Sequence, residues 1–101
     1  MTFGLDKKTR QRVLEVFKKY PSVEKAVIFG SRALGTHRPQ SDIDIAVFGE
    51  MEEGLEGHLR QELDALSTPY LYDVIRYSLI ENEKLKEHVD RYGKVFYEKP
   101  Q

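Results

Sequence analysis

Hydrophobic residues recur along the chain at two spacings, and each spacing predicts one kind of element. Apolar residues three or four positions apart predict amphipathic helices in three segments, at 6–19, 55–66 and 82–93. Alternating or continuous apolar residues predict three strands, at 23–29, 43–48 and 71–76. The short apolar tail at 95–97 is compatible with a strand or a helix. This order of elements predicts an α/β (α+β) fold in which helices pack on a small mixed sheet.

Capping and turn residues lie at the expected boundaries of these segments. Asp6 and Asn82 suit the N-caps of the first and last predicted helices, and Gly93 suits the end of the last one. Residues 31–34 predict one short helical turn that ends at a glycine, and the polar run 36–41 predicts a turn.

Composition narrows the classes of function. With 101 residues, the chain has room for one core, so we expect residues 1–101 to form a single domain. The net charge of -1 argues against a nucleic-acid-binding protein, because such proteins usually carry an excess of basic residues. The sequence contains no cysteine, which excludes disulfides and thiolate metal sites. No apolar run is long enough for a membrane span or a signal sequence, so we expect a cytoplasmic protein.

The first candidate for chemistry is the corner at Gly30 and Ser31, where an apolar strand stops and the short helical turn begins. Glycine lets a phosphate approach the backbone, the serine hydroxyl can donate to it, and successive N–H groups bind anions. Arg32 follows directly, and a guanidinium can hold phosphate with two hydrogen bonds. The alternatives are an ordinary strand-ending turn with a helix cap, and a solvated loop arginine.

The second candidate is a set of aspartates. Asp42 and Asp44 share one face of the second predicted strand, roughly 6.5–7 Å apart at Cα, so both can reach one or two hard divalent cations. Asp73 interrupts an apolar face of the third strand, where a charge is costly unless it is paired or binds metal. A solvated strand edge, turn caps or a structural salt bridge are the alternatives.

The spacing in the sequence predicts that the Gly30–Ser31 corner and the aspartates are neighbours in the fold. Ten residues separate Ser31 from Asp42, enough for a loop that returns the chain beside the first strand. Carboxylates that hold two metal ions about 3.5–4 Å apart, next to a phosphate-binding corner, suit phosphoryl or nucleotidyl transfer. Asp73 could then act as the general base.

The run Gly30-Ser31, ten residues, Asp42-Ile43-Asp44 resembles the signature of the DNA polymerase β-like nucleotidyltransferase superfamily. The flanking residues 29–35 and 41–47 and the closing stretch 79–97 are similar to the minimal nucleotidyltransferase (MNT) proteins of prokaryotes. The resemblance implies a polymerase β palm-like fold and an enzyme that uses ATP. It also implies that Asp42, Asp44 and Asp73 bind two Mg²⁺ ions, with Gly30 and Ser31 at the triphosphate.

The resemblance further implies a biological role. Many MNT proteins are antitoxins that pair with a HEPN-domain RNase toxin, and the implied activity is transfer of AMP from ATP to a tyrosine of that toxin. The sequence is compatible with a homo- or hetero-oligomer and does not determine the oligomeric state. A different class of function is a non-catalytic antitoxin that neutralises its partner by stoichiometric contact. A nucleotide-sugar site of the glycosyltransferase type is disfavoured, because the chain is short for the usual two-lobed fold.

Overall fold

The computed structural model of the chain describes residues 3–38 and 41–100, and within them one mixed sheet carries helices on both faces. The helices are α1 (Lys7–Lys18), α2 (Ser31–Leu34), α3 (Leu55–Asp64) and α4 (Glu83–Tyr92), with a 3₁₀ turn at Tyr77–Leu79. The strands are β1 (Lys25–Phe29), β2 (Ile43–Phe48), β3 (Tyr72–Arg76) and β4 (Lys94–Glu98).

The sheet has the strand order β3-β2-β1-β4. β1 is antiparallel to both β2 and β4, whereas β2 and β3 are parallel. Parallel neighbours need a crossover connection, and α3 supplies it between β2 and β3. The predicted small mixed sheet with packed helices is therefore confirmed.

Alternation along the strands divides the apolar residues between the two faces of the sheet. Ile43, Ile45 and Val47 of β2 join the main core, which also contains residues of α1 and α3. On the opposite face, a smaller cluster includes Val27, Phe29 and Ala46 of the sheet together with Val89 of α4. Asp44, between two main-core residues of β2, consequently belongs to the α4 face.

The predicted helix at 55–66 is realised as α3. Leu59 and Leu63 are fully buried, so the leucine stripe packs into the core as its spacing predicts. The predicted helical turn at 31–34 is also confirmed, and the first and last predicted helices differ from α1 and α4 by one residue at their ends. Of the predicted turn at 36–41, residues 39 and 40 lie outside the described residues.

The C-terminal part of the chain is fixed against β1. The side-chain oxygen of Asn82 accepts the Leu85 N–H at 3.0 Å, which caps α4 as predicted. α4 ends at Gly93, where an added Cβ would lie 2.4 Å from a methyl carbon of Val27. The tail left undecided by the sequence forms the strand Lys94–Glu98, which pairs with β1.

Among residues 3–38 and 41–100, no helix combines the length and the apolar character that crossing a membrane requires.

Candidate active site

The three predicted carboxylates lie on one face of the sheet. Asp44 of β2 is in register with Asp73 of β3, and neighbouring strands are about 4.8 Å apart. Asp42 precedes Asp44 by two residues, so it extends the same face. Asp42 and Asp73 are exposed and Asp44 is partly buried. The structure thus places these three side chains on the same face, at one end of the parallel strand pair.

Electrostatic repulsion among these groups acts on Asp44. Burial raises the pKa of the Asp44 carboxyl, and the nearby charges of Asp73 and Asp42 raise it further, with His88 acting in the opposite direction. The ionised carboxylates therefore oppose one another in the protein alone.

The donor chemistry of this face fits a magnesium ion. Carboxylate oxygens are the ligands that Mg²⁺ prefers, and a divalent cation would offset the repulsion that raises the pKa of Asp44. Within the described part of the chain, however, no three histidine, aspartate or glutamate side chains converge closely enough to hold a metal ion.

The Gly30 corner lies directly against Asp44. Gly30 adopts φ 75° and ψ -153°, a conformation that is essentially restricted to glycine. A Cβ added there would lie 2.5 Å from Oδ2 of Asp44, so no side chain fits between them. Ser31 follows as the first residue of α2. The predicted phosphate-binding corner and the carboxylates are therefore immediate neighbours.

His88 of α4 is a residue at this site that the sequence reasoning missed. Its Nε2 accepts a hydrogen bond from the Gly30 N–H at 3.0 Å, and its ring meets the Phe29 ring edge-on at 6.2 Å between centroids. A signal was nevertheless present, because His88 lies three residues after Leu85 and therefore shares the apolar stripe of α4.

Arg32 has a different environment from the predicted one. Its side chain is 2% exposed, and its guanidinium donates to the Phe3 carbonyl at 2.7 Å and to the Ser41 carbonyl at 2.9 Å. This group is enclosed by backbone oxygens rather than presented at the Gly30 corner. The geometry accordingly favours a structural role over the predicted contact with the triphosphate.

Replacing His88 with alanine is expected to destabilise the fold, because the Gly30 N–H loses its acceptor. A hydrogen bond of this kind contributes about 0.5–1.5 kcal/mol, measurable by urea unfolding. His88→Gln, whose amide oxygen can accept, should lose less. The exposed His58 of α3 provides the control, and His58→Ala should stay within about 0.5 kcal/mol of wild type. Equal losses in His88→Ala and His58→Ala would contradict the role given to this hydrogen bond.

A mixed sheet with a glycine corner at the end of one strand and carboxylates on the next two defines a nucleotidyltransferase-type domain. The comparison with known families agrees: residues 11–101 match the family described as Polymerase beta, Nucleotidyltransferase. The chain belongs to this family, and the resemblance found in the sequence is confirmed. No curated protein sequence matches the chain.

Solved structures of the same fold include toxin–antitoxin complexes. A crystal structure of a toxin–antitoxin with AMP-PNP matches with a TM-score of 0.71 and 24% identity, covering 89% of this chain and 73% of that chain. A tri-AMPylated Shewanella oneidensis HEPN toxin in complex with MNT antitoxin matches with a TM-score of 0.67 and 20% identity, over 94% and 74% of the two chains. A putative nucleotidyltransferase from Sulfolobus solfataricus matches with a TM-score of 0.54 and 26% identity, over 90% and 78%.

Proposed function

We propose that this chain is a magnesium-dependent nucleotidyltransferase of the cytoplasm that transfers AMP from ATP to a tyrosine of a partner HEPN toxin, and so acts as an antitoxin. The observation that carries the proposal is the placement of Asp42, Asp44 and Asp73 on one sheet face, with Asp44 next to the Gly30 corner. The similar solved complexes support the nucleotide and the partner, since one contains AMP-PNP and another a tri-AMPylated HEPN toxin with its MNT antitoxin.

Each part of the site has a distinct task in this reaction. Asp42 and Asp44, with Asp73, would hold the magnesium ions, which when bound neutralise the triphosphate and lower the pKa of an acceptor hydroxyl. The Ser31 hydroxyl and N–H, which follow the Gly30 corner, can donate to a phosphate group. These groups hold the substrate in one orientation next to the carboxylates.

The transfer step exchanges one phosphorus–oxygen bond for another. The tyrosine oxygen of the acceptor bonds to the α-phosphorus of ATP, while the bond from that phosphorus to the oxygen bridging the α- and β-phosphates breaks. Pyrophosphate leaves with the electron pair of the broken bond. Asp73, which is exposed, accepts the phenolic proton and returns it to solvent.

The proposal is tested by following the α-phosphate of ATP. The purified chain, ATP labelled at the α-phosphate, Mg²⁺ and the HEPN protein encoded next to it should yield labelled HEPN protein with reduced RNase activity. ATP labelled at the γ-phosphate is the control and should leave the protein unlabelled. Label that persists in the double variant Asp42→Asn, Asp44→Asn, or no label with the wild-type chain, would refute the mechanism.

The same double variant separates catalysis from neutralisation by contact. If transfer is the basis of protection, cells that express the HEPN protein should not survive with Asp42→Asn, Asp44→Asn, although the two proteins still co-purify. Full protection by this variant would instead support the non-catalytic antitoxin that binds its partner stoichiometrically.

A further inference from the structure

We propose that Arg32 is a positioning residue that ties together the three chain segments carrying the site, an inference that rests on the proposed function for its catalytic consequence. The segments are the Gly30 corner with α2, the start of β2 with Asp42, and the start of β3 with Asp73. Arg32 belongs to the first of these segments and contacts residues that immediately precede the other two.

The contact with the second segment is a pair of hydrogen bonds. Nη2 and Nε of Arg32 donate to the Ser41 carbonyl at 2.9 and 3.3 Å. Ser41 directly precedes Asp42, and its own hydroxyl accepts the Arg38 N–H at 2.8 Å. The residue before the first carboxylate is therefore held from the side of α2 as well as within its own turn.

Arg32 contacts the third segment through the aromatic ring of Tyr70. Cζ of Arg32 lies 5.0 Å from the centroid of the Tyr70 ring, a distance at which a guanidinium is attracted to an aromatic face. Tyr70 stands three residues before Asp73. Next to it, the Leu71 carbonyl accepts the Ile43 N–H at 2.9 Å, which joins the entrances of β2 and β3.

The N-terminal segment contacts both Arg32 and Tyr70. The Phe3 carbonyl accepts from Nη1 of Arg32 at 2.7 Å, and the Tyr70 hydroxyl donates to the Gly4 carbonyl at 3.4 Å. Phe3 is itself part of the main core. Arg32 thus contacts three other parts of the chain, two of which lead into the site.

Only a guanidinium suits this position. A buried cation is costly unless its donors are paired, and the planar fork of arginine reaches the Phe3 and Ser41 carbonyls at the same time. A lysine ammonium donates from a single nitrogen, so it cannot reproduce the paired hydrogen bonds to the Ser41 carbonyl together with the bond to the Phe3 carbonyl. Arg32→Lys keeps the charge and most of the volume, so it removes the link with the smallest other change.

The expected consequence is a loss of alignment rather than of nucleotide affinity. A displacement of about 1 Å between reacting groups can cost about a hundredfold in rate. The triphosphate is held at several points, whereas the reaction needs the Gly30 corner and Asp42 at a fixed separation. Losing the Arg32 link should therefore lower kcat much more than it raises KM for ATP.

Steady-state kinetics of AMP transfer by Arg32→Lys test this expectation. We expect kcat to fall about a hundredfold while KM for ATP stays within about threefold of wild type. Arg12→Lys is the matched control, because Arg12 also donates to a carbonyl, that of Leu66, on the exposed side of α1. It should leave both constants within about twofold. A raised KM with unchanged kcat would overturn the inference and support the phosphate contact predicted from the sequence.

A second variant and a second measurement keep the inference testable if Arg32→Lys does not fold or the wild-type chain transfers no AMP. Tyr70→Leu removes the stacked ring, and Tyr70→Phe keeps it. Backbone amide NMR signals of Gly30, Asp42 and Asp73 should shift together in Tyr70→Leu or Arg32→Lys, but not in Arg12→Lys. Shifts confined to the immediate neighbours of the substituted residue would overturn the inference independently of any activity.

Discussion

Asp44→Asn is expected to abolish AMP transfer and at the same time to raise the thermal stability of the protein. Transfer should fall roughly a thousandfold, because a neutral amide no longer provides the charge that binds the cation and its substrate. Stability should rise because the ionised Asp44 is partly buried and repelled by Asp73 and Asp42, as its raised pKa shows. The two effects are measured on the same preparation, by transfer of labelled AMP and by thermal unfolding.

The stabilisation that Asp44→Asn produces should increase as the pH rises from acidic to neutral. The pKa of Asp44 lies above its ordinary value of 3.8, so the unfavourable interaction is absent while the carboxyl is protonated and develops as pH rises through the folded-state pKa. The difference in Tm between Asp44→Asn and wild type should therefore be largest near neutral pH and shrink on acidification.

An exposed aspartate on the outer side of α3 provides the control for this prediction. Asp64→Asn should leave both Tm and AMP transfer close to wild type, since Asp64 takes part only in an exposed pair with Arg60 at 3.9 Å among the ion pairs of the described residues. A variant Asp44→Asn that melts below wild type near neutral pH would contradict the repulsion inferred for this site.

Gly30→Ala is expected to lose both activity and stability. The conformation at φ 75° and ψ -153° costs a residue with a Cβ about 1–3 kcal/mol, and the added carbon would lie 2.5 Å from Oδ2 of Asp44. The strain and the clash together would displace Asp44, one of the proposed metal ligands. AMP transfer should fall about a hundredfold. Urea unfolding and labelled AMP transfer measure the two losses.

Gly57→Ala is the control for the glycine substitution. Gly57 lies in α3, and an added Cβ there would meet none of the described atoms within 4 Å. Alanine favours a helix over glycine by about 0.5–1 kcal/mol, so this variant should be more stable than wild type and equally active. If Gly30→Ala were as stable and as active as Gly57→Ala, the close approach of Gly30 to Asp44 would be unimportant for both properties, and the prediction would be wrong.

The features that the sequence predicts well are those set by local pattern. β2 has the predicted bounds, 43–48, because a short apolar run interrupted by a single charged residue, Asp44, is typical of a largely buried strand. The leucine stripe of α3 packs as its helical spacing requires. Asp44 and Asp73 share a face because each lies between two strand residues that point into the main core.

The features that the sequence does not predict depend on contacts between distant segments of the chain. His88 meets the corner across a separation of 58 residues. Arg32 pairs with carbonyl oxygens, which every residue carries, so its partners leave no mark in the sequence. The tail at 95–97 becomes a strand only because β1 offers an edge for pairing, and its own composition does not decide the matter.

The strand order leaves β3, with Asp73, at the outer edge of the sheet. One side of an edge strand has no neighbouring strand, and the side chains of Asp73 and Leu71 are exposed there. The face that carries Asp44 and Asp73 is consequently bordered on one side by a strand edge without a neighbour. In the proposed reaction, an acceptor hydroxyl on the surface of a folded protein would reach these carboxylates from that side.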